Sequence, residues 1–184
     1  MTFPFPSVVA NSSSHVATWQ TNAQANPTGN NGGWNGYTHR ERILAAGLSN
    51  GGGSKVRVTL KAGSSAGFTI DSCYIGAGAS VGDTYDFETT PTQLLFNGGN
   101  AGVTVTTGNS ILSDEITYTV DASKNLIVSM HFSATSAVGI DTGATNWNGY
   151  SKAAVSEAGT VNVSGYSAGG GNVSYGLAKV ESFV

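Results

Sequence analysis

Three histidines, one cysteine, an acidic triplet and two copies of Trp-Asn-Gly-Tyr are the residues of this sequence with chemistry in them. Nucleophilic catalysis needs a hydroxyl or thiol within reach of a base that a third group orients. His15 lies in an N-terminal stretch without pattern, His39 at the edge of a first strand and His131 near the end of a later one. No Gly-x-Ser-x-Gly elbow connects any of them to a serine, so the sequence reads as non-enzymatic. One cysteine and three distant histidines give no spacing for a transition metal, and no cofactor is expected.

Calcium is the metal to weigh. Asp83, Asp86 and Glu88 lie close together in a glycine-bounded stretch and offer the oxygen ligands a hard cation prefers. The spacing lacks the alternation of a dedicated calcium loop, and a solvated acidic loop is the competing interpretation.

Trp34, Tyr37, Trp147 and Tyr150 come from the two WNGY copies. An aromatic ring held on a Gly and Asn loop at the end of a sandwich stacks on a sugar face while nearby amides bond its hydroxyls. Aromatics at strand ends also cap a core or anchor a subunit contact, where Trp and Tyr are favoured. Both readings stay open. Two short copies so far apart do not make a repeat architecture.

The elements that must position these residues are strands. Only 10% of the residues are charged, the net charge is -3, and 26 glycines accompany abundant Ser, Thr, Asn and Val. Eight scattered Lys and Arg argue against nucleic acid as a partner. No segment approaches the length needed to span a bilayer, and the start has no basic region followed by an apolar run. A chain without a signal peptide, made in a cytoplasm and independent of membranes, is expected.

Met1 to Gly36 is poor in patterned apolar residues and contains Pro4, Pro6 and Pro27, so residues 1–36 read as an extended arm. Such an arm is either a loose terminus or a segment that orders on a neighbouring subunit, and Phe3 and Phe5 would then supply contacts. Residues 37–184 read as one domain. HRERILAAGL is too short and uncapped for a stable helix and is expected as a strand. Val56, Val58 and Leu60 alternate with Lys55, Arg57 and Thr59, and a further strand runs from Phe68 to Ile75. Two short strands, Gln93 to Phe96 and Val103 to Thr106, flank an Asn-Gly-Gly-Asn turn. Ile116 to Val120 and Leu126 to Phe132 alternate on either side of Asp121 to Asn125 and are expected to pair as a hairpin. Ser133 to Ala158 reads as loop-rich, Thr160 to Val163 as a brief strand, and Val173 to Val184 as the closing one. The pattern implies an all-β fold, an antiparallel, jelly-roll-like β-sandwich with an N-terminal arm.

KVRVTL (Lys55 to Leu60), GFTIDSCYIG (Gly67 to Gly76), and LSDEITYTV followed by NLIVSMHF resemble the β-sandwich domain that precedes the catalytic domain in some SGNH (GDSL-type) hydrolases. They are also similar to stand-alone proteins of rhizobial phages and prophages, with close parallels to GDTYDFETTPTQLLFNGG (Gly82 to Gly99). The resemblance covers about four-fifths of the chain and rests on strand patterns and turns. The catalytic signature departs from it: Gly82-Asp83 is followed by Thr84, Asp71-Ser72 is preceded by Ile70, and no histidine follows His131. What the resemblance implies is a virion component, a capsid decoration or tail or fibre protein. Its partners would be copies of itself and other virion proteins. The alternative is a carbohydrate-binding module for a cell-surface polysaccharide.

Overall fold

The computed structural model describes residues 17–184. In chain order its strands are β1 (Trp19–Gln24), β2 (Gly29–Gly32), β3 (Tyr37–Ile43), β4 (Lys55–Lys61), β5 (Phe68–Ala77), β6 (Thr92–Gln93), β7 (Val103–Val105) and β8 (Ser110–Leu112). Then come β9 (Ile116–Thr117), β10 (Leu126–Phe132), β11 (Ala137–Asp141), β12 (Trp147–Ala153), β13 (Ser167–Gly171), β14 (Ser174–Tyr175) and β15 (Leu177–Phe183). One three-residue 3-10 turn, Ala45–Gly47, is the sole helical element among the described residues. The fold is an all-β antiparallel sandwich.

A five-stranded sheet runs β1-β15-β4-β8 with β9 also on β4. A seven-stranded sheet runs β13-β12-β3-β10-β5-β6 with β7 also on β5. A small third sheet runs β14-β11-β2. The core lies between the two large sheets because alternate residues of their strands face each other there. Val56, Val58 and Leu60 of β4 and Leu177 and Val180 of β15 meet Leu126, Val128, Met130 and Phe132 of β10 and Phe68, Ile70, Cys73 and Ile75 of β5. Each such side chain withdrawn from water contributes about 1.5 to 3 kcal/mol, which explains why strand alternation dictates this arrangement. Cys73 is sealed in that layer, and burial pushes its thiol well above the ordinary range.

The expected hairpin does not form. Ile116 and Thr117 pair with β4, and Val120 bridges to Gly52, whereas β10 pairs with β3 and β5. Asp121 to Asn125 therefore carries the chain from one sheet to the other. Its polar residues still make a turn: Asp121 Oδ1 accepts from the Ser123 amide and hydroxyl, and Asn125 Oδ1 accepts from the Ala45 amide. Period-two alternation fixes the face a strand buries and leaves its partner open.

Four other expectations are corrected. Thr160 to Val163 forms no strand, and Gln93 to Phe96 is strand only at its first residue, in β6. Ser133 to Ala158 contains β11 and β12, and β12 pairs along its whole length with β3, from Trp147 opposite Ile43 to Ala153 opposite Tyr37. Asn, Gly, Ser and Lys give β12 little intrinsic strand preference, so the partner supplies it. Of the segment expected as an arm, the residues described are built into the domain. β1 pairs with β15, β2 pairs with β11, and Trp34 is buried. β3, expected as a strand, is the middle of the larger sheet.

Candidate functional site

Two polar clusters stand out, one buried and one open. The buried one is carried by β3, whose consecutive residues Thr38, His39, Arg40 and Glu41 are all inaccessible to solvent. His39 and Glu41 point into the core. His39 Nε2 lies 3.1 Å from Glu41 Oε2, and the Tyr175 amide donates to the same oxygen at 2.9 Å. The rings of Trp34, Phe132 and Tyr175 pack around the imidazole. Gly149, opposite Glu41 on β12, has to be glycine. A Cβ there would sit 2.8 Å from the His39 ring and 2.9 Å from that of Tyr175. Burial pushes the Glu41 carboxyl above its ordinary value, with the contacts to His39 and the Tyr175 amide opposing the shift.

Arg40 points the other way, onto the outer face of the seven-stranded sheet. Its Nη1 donates to the carbonyls of Tyr85 (2.7 Å) and Val161 (3.4 Å), and its Nη2 to those of Glu157 (3.3 Å) and Thr160. The guanidinium stands 4.6 Å from the Phe87 ring centre and 5.6 Å from that of Tyr166. One side chain thus gathers the loops on either side of Tyr85 and Thr160 onto the sheet. The Thr160 and Val161 carbonyls therefore face a cation, and Val161 also accepts from the Phe87 amide at 3.1 Å, so Thr160 to Val163 is held without a strand ladder. Burial lowers the Arg40 pKa, countered by Tyr166, Asp86 and Glu157, and burial raises the Tyr166 hydroxyl to about 12.

The open cluster lies at a bulge in β5. Phe132 pairs with Ile70 and His131 with Ser72, so Asp71 is the extra residue. The bulge turns its carboxylate toward β10, where His131 Nδ1 lies 2.8 Å from Oδ1 and 2.9 Å from Oδ2. Ser72 Oγ donates to Oδ1 at 3.1 Å. Gly102 permits the bulge, since a Cβ on it would lie 2.5 Å from the Ile70 carbonyl oxygen and 2.8 Å from Asp71 Cα. Beside the carboxylate opens a hollow of about 680 Å³. Asp71 is half exposed and His131 largely covered.

The residues singled out from the sequence are scattered over the fold. Trp34 is buried under Tyr37, His39, Phe132 and Tyr175, and its Nε1 donates to Asn31 Oδ1 at 2.7 Å. Trp147 is buried in the same core. Neither indole presents a face to solvent, so within this chain both serve packing. Tyr37 and Tyr150 are half-buried, the second against Tyr85 in a cluster on the opposite side of the sheet. The structure therefore does not bring the four aromatics together.

Asp83, Asp86 and Glu88 each have a different partner. Asp83 Oδ2 accepts from the Tyr85 hydroxyl (2.8 Å), Asp86 accepts from the Val163 and Asp83 amides, and Glu88 pairs with Lys124 at 2.7 Å. Among the described residues no three His, Cys, Asp or Glu side chains converge as metal ligands. Phe3 and Phe5 lie outside the described residues. Sequence reasoning missed Arg40, Glu41 and Asp71. A run of charges inside a strand was the available signal for the first two, while the bulge that aims Asp71 leaves no mark in the local pattern.

No protein-family model matches this chain, and no curated protein is similar to it. Neither comparison supports the expected resemblance to SGNH-associated sandwiches and phage proteins.

Proposed function

We propose that this chain is a non-enzymatic structural component of a tailed-phage particle, decorating a capsid or forming part of a tail or fibre. In this reading copies of the chain meet through sheet edges, Gly-rich loops and the N-terminal residues. The observation that supports it is the outer edge of the seven-stranded sheet. There β13 is Ser-Ala-Gly-Gly-Gly, all five residues are exposed, and β12 is its one strand partner. Charged side chains and prolines ordinarily guard such an edge against pairing with another chain, and β13 has neither. Small side chains let a second backbone approach closely. The phage setting comes from the sequence resemblance.

The test is solution mass by light scattering over a dilution series, with Ala168→Lys as the edge variant, together with proteomics of purified particles. A closed oligomer weakened by the lysine and stoichiometric presence in particles is the expected result. Absence from particles would overturn the proposal.

A further inference from the structure

We infer that the hollow beside the β5 bulge is a binding site for a neutral saccharide, with the Asp71 carboxylate as its principal acceptor. Nothing in this inference depends on the assembly role. It differs from the expectation drawn on the two WNGY stretches, whose indoles are buried.

The lining is about equally polar and apolar, and Asp71 is its one charge: Thr69, Asn97, Asn100, Thr104 and Ser133 supply hydroxyls and amides, and Ile70, Ala101 and Val103 supply apolar surface. Asp71 Oδ1 is occupied by His131 and Ser72, while Oδ2 accepts from His131 alone and keeps an acceptor position open. A carboxylate held from behind by an imidazole is fixed in direction before a ligand arrives, which limits the entropy lost on binding. It accepts from hydroxyls, as vicinal sugar hydroxyls require.

The opposite wall is equally rigid. Asn97 adopts a left-handed conformation with φ 51, and Phe96 and Asn100 exchange amide-to-carbonyl bonds of 2.8 Å across the turn. The Gly98 and Gly99 amides donate to the two oxygens of Asp114 at 3.0 and 2.8 Å. Asn100 Nδ2 donates to the Asn97 carbonyl at 3.2 Å, which leaves its Oδ1 and the Asn97 amide group for a ligand. Thr69 and Thr104 hydroxyls bond each other at 2.9 Å across β5 and β7 and keep further lone pairs. Both donors and acceptors are present in the hollow, which suits the hydroxyls of a polyol. No Lys or Arg lines it, and Asp71 repels anions, so phosphorylated, sulfated and uronic sugars are disfavoured.

The experiment titrates the 15N-labelled full chain with glucose, galactose, mannose and the N-acetyl derivatives of the first two, following amide shifts by NMR. Glucuronate serves as the charged comparison. The expected result is saturable shifts confined to residues 69–72, 97–104 and 133 with at least one neutral sugar. Asp71→Asn should weaken that binding about tenfold, as loss of a charge-assisted hydrogen bond does. Thr104→Trp, which fills the hollow from an exposed position, should abolish it while the melting temperature is kept. The inference is overturned by the absence of saturable shifts with every neutral sugar, by shifts centred elsewhere, by glucuronate binding as well as glucose, or by full affinity in both variants.

Discussion

On the inner face of β3, His39 and Glu41 meet at 3.1 Å and are sealed between the two large sheets. On its outer face Arg40 is equally inaccessible, yet its guanidinium faces four main-chain carbonyls and two aromatic rings. The difference lies in what each charge satisfies. Glu41 and His39 chiefly satisfy one another, and each keeps an unpartnered atom, Oε1 and Nδ1. Arg40, although its own Nε is unpartnered too, satisfies carbonyls that belong to two loops, and among the described residues those of Tyr85 and Thr160 have no other donor. A buried pair of the first kind adds little net stability over an apolar replacement, because desolvation offsets attraction. A cation of the second kind organises backbone that has no ladder of its own.

The largest effect should come from breaking the outer side. Arg40→Met leaves the carbonyls of Tyr85 and Thr160 without donors and takes one of two donors from those of Glu157 and Val161. A loss of about 3 to 5 kcal/mol in urea denaturation is expected. Hydrogen exchange should rise first at residues 79–91 and 154–166, ahead of β4 and β15. Arg40→Lys should recover little, since an ammonium cannot reach carbonyls arranged for a planar fork. Uniform exchange over the whole domain would show that the loops are held by something other than Arg40.

Breaking the inner side should be partly reversible. Glu41→Met strands both His39 Nε2 and the Tyr175 amide, and should cost about 3 kcal/mol. Adding His39→Leu removes one of those two orphans, so the double variant should be about 1 to 2 kcal/mol more stable than Glu41→Met alone. The pair also makes a pH prediction. Because burial raises the Glu41 pKa above 4.5, the folded state holds that proton more firmly than the unfolded one. Its contribution to stability is full below the unfolded value and declines as pH rises through 4.5 toward the folded value. Glu41→Gln lacks that decline, so the stability of the natural chain relative to this variant should fall as pH rises above 4.5. A relative rise over that range would mean that the ion pair with His39 outweighs burial.

The contrast also shows what the sequence makes readable. β4 and β10 were legible because Val56, Val58 and Leu60, or Leu126, Val128, Met130 and Phe132, alternate with other residues and a sheet face needs that period. Their antiparallel, all-β setting followed. The partner of Ile116 to Val120 was not legible, since alternation is the same whichever sheet a strand joins. β12 was hidden because Gly149 is there to admit the His39 and Tyr175 rings, and that need arises only in three dimensions. The indoles of Trp34 and Trp147 looked available beside Gly and Asn, yet the space between two sheets was the larger attraction. Asp71 depended on a bulge set by its pairing with β10. Local patterns reveal faces, and sites are made by pairings.

The smallest effect should come from a third setting, the outer face of the five-stranded sheet. Arg57 of β4 lies directly opposite Glu181 of β15, its Nε donates to Glu181 Oε2 at 3.1 Å, and its guanidinium stands 4.1 Å over the Trp19 ring centre. This pair resembles the inner one in geometry, but water reaches it: 23% of the Arg57 side chain and 11% of that of Glu181 is exposed. Solvent can take over from a lost partner, so Glu181→Gln should cost no more than about 1 kcal/mol. Arg57→Met should cost slightly more, because the cation also leaves the Trp19 ring, a contact of about 0.5 to 1 kcal/mol at exposed sites. Raising the salt to about 1 M, where screening acts over roughly 3 Å, should shrink the difference between Glu181→Gln and the natural chain but leave the Arg40→Met deficit unchanged. A salt-insensitive loss of several kcal/mol at Glu181 would mean that cross-strand charge matters here independently of burial, and the distinction between the faces of β3 would then need another cause.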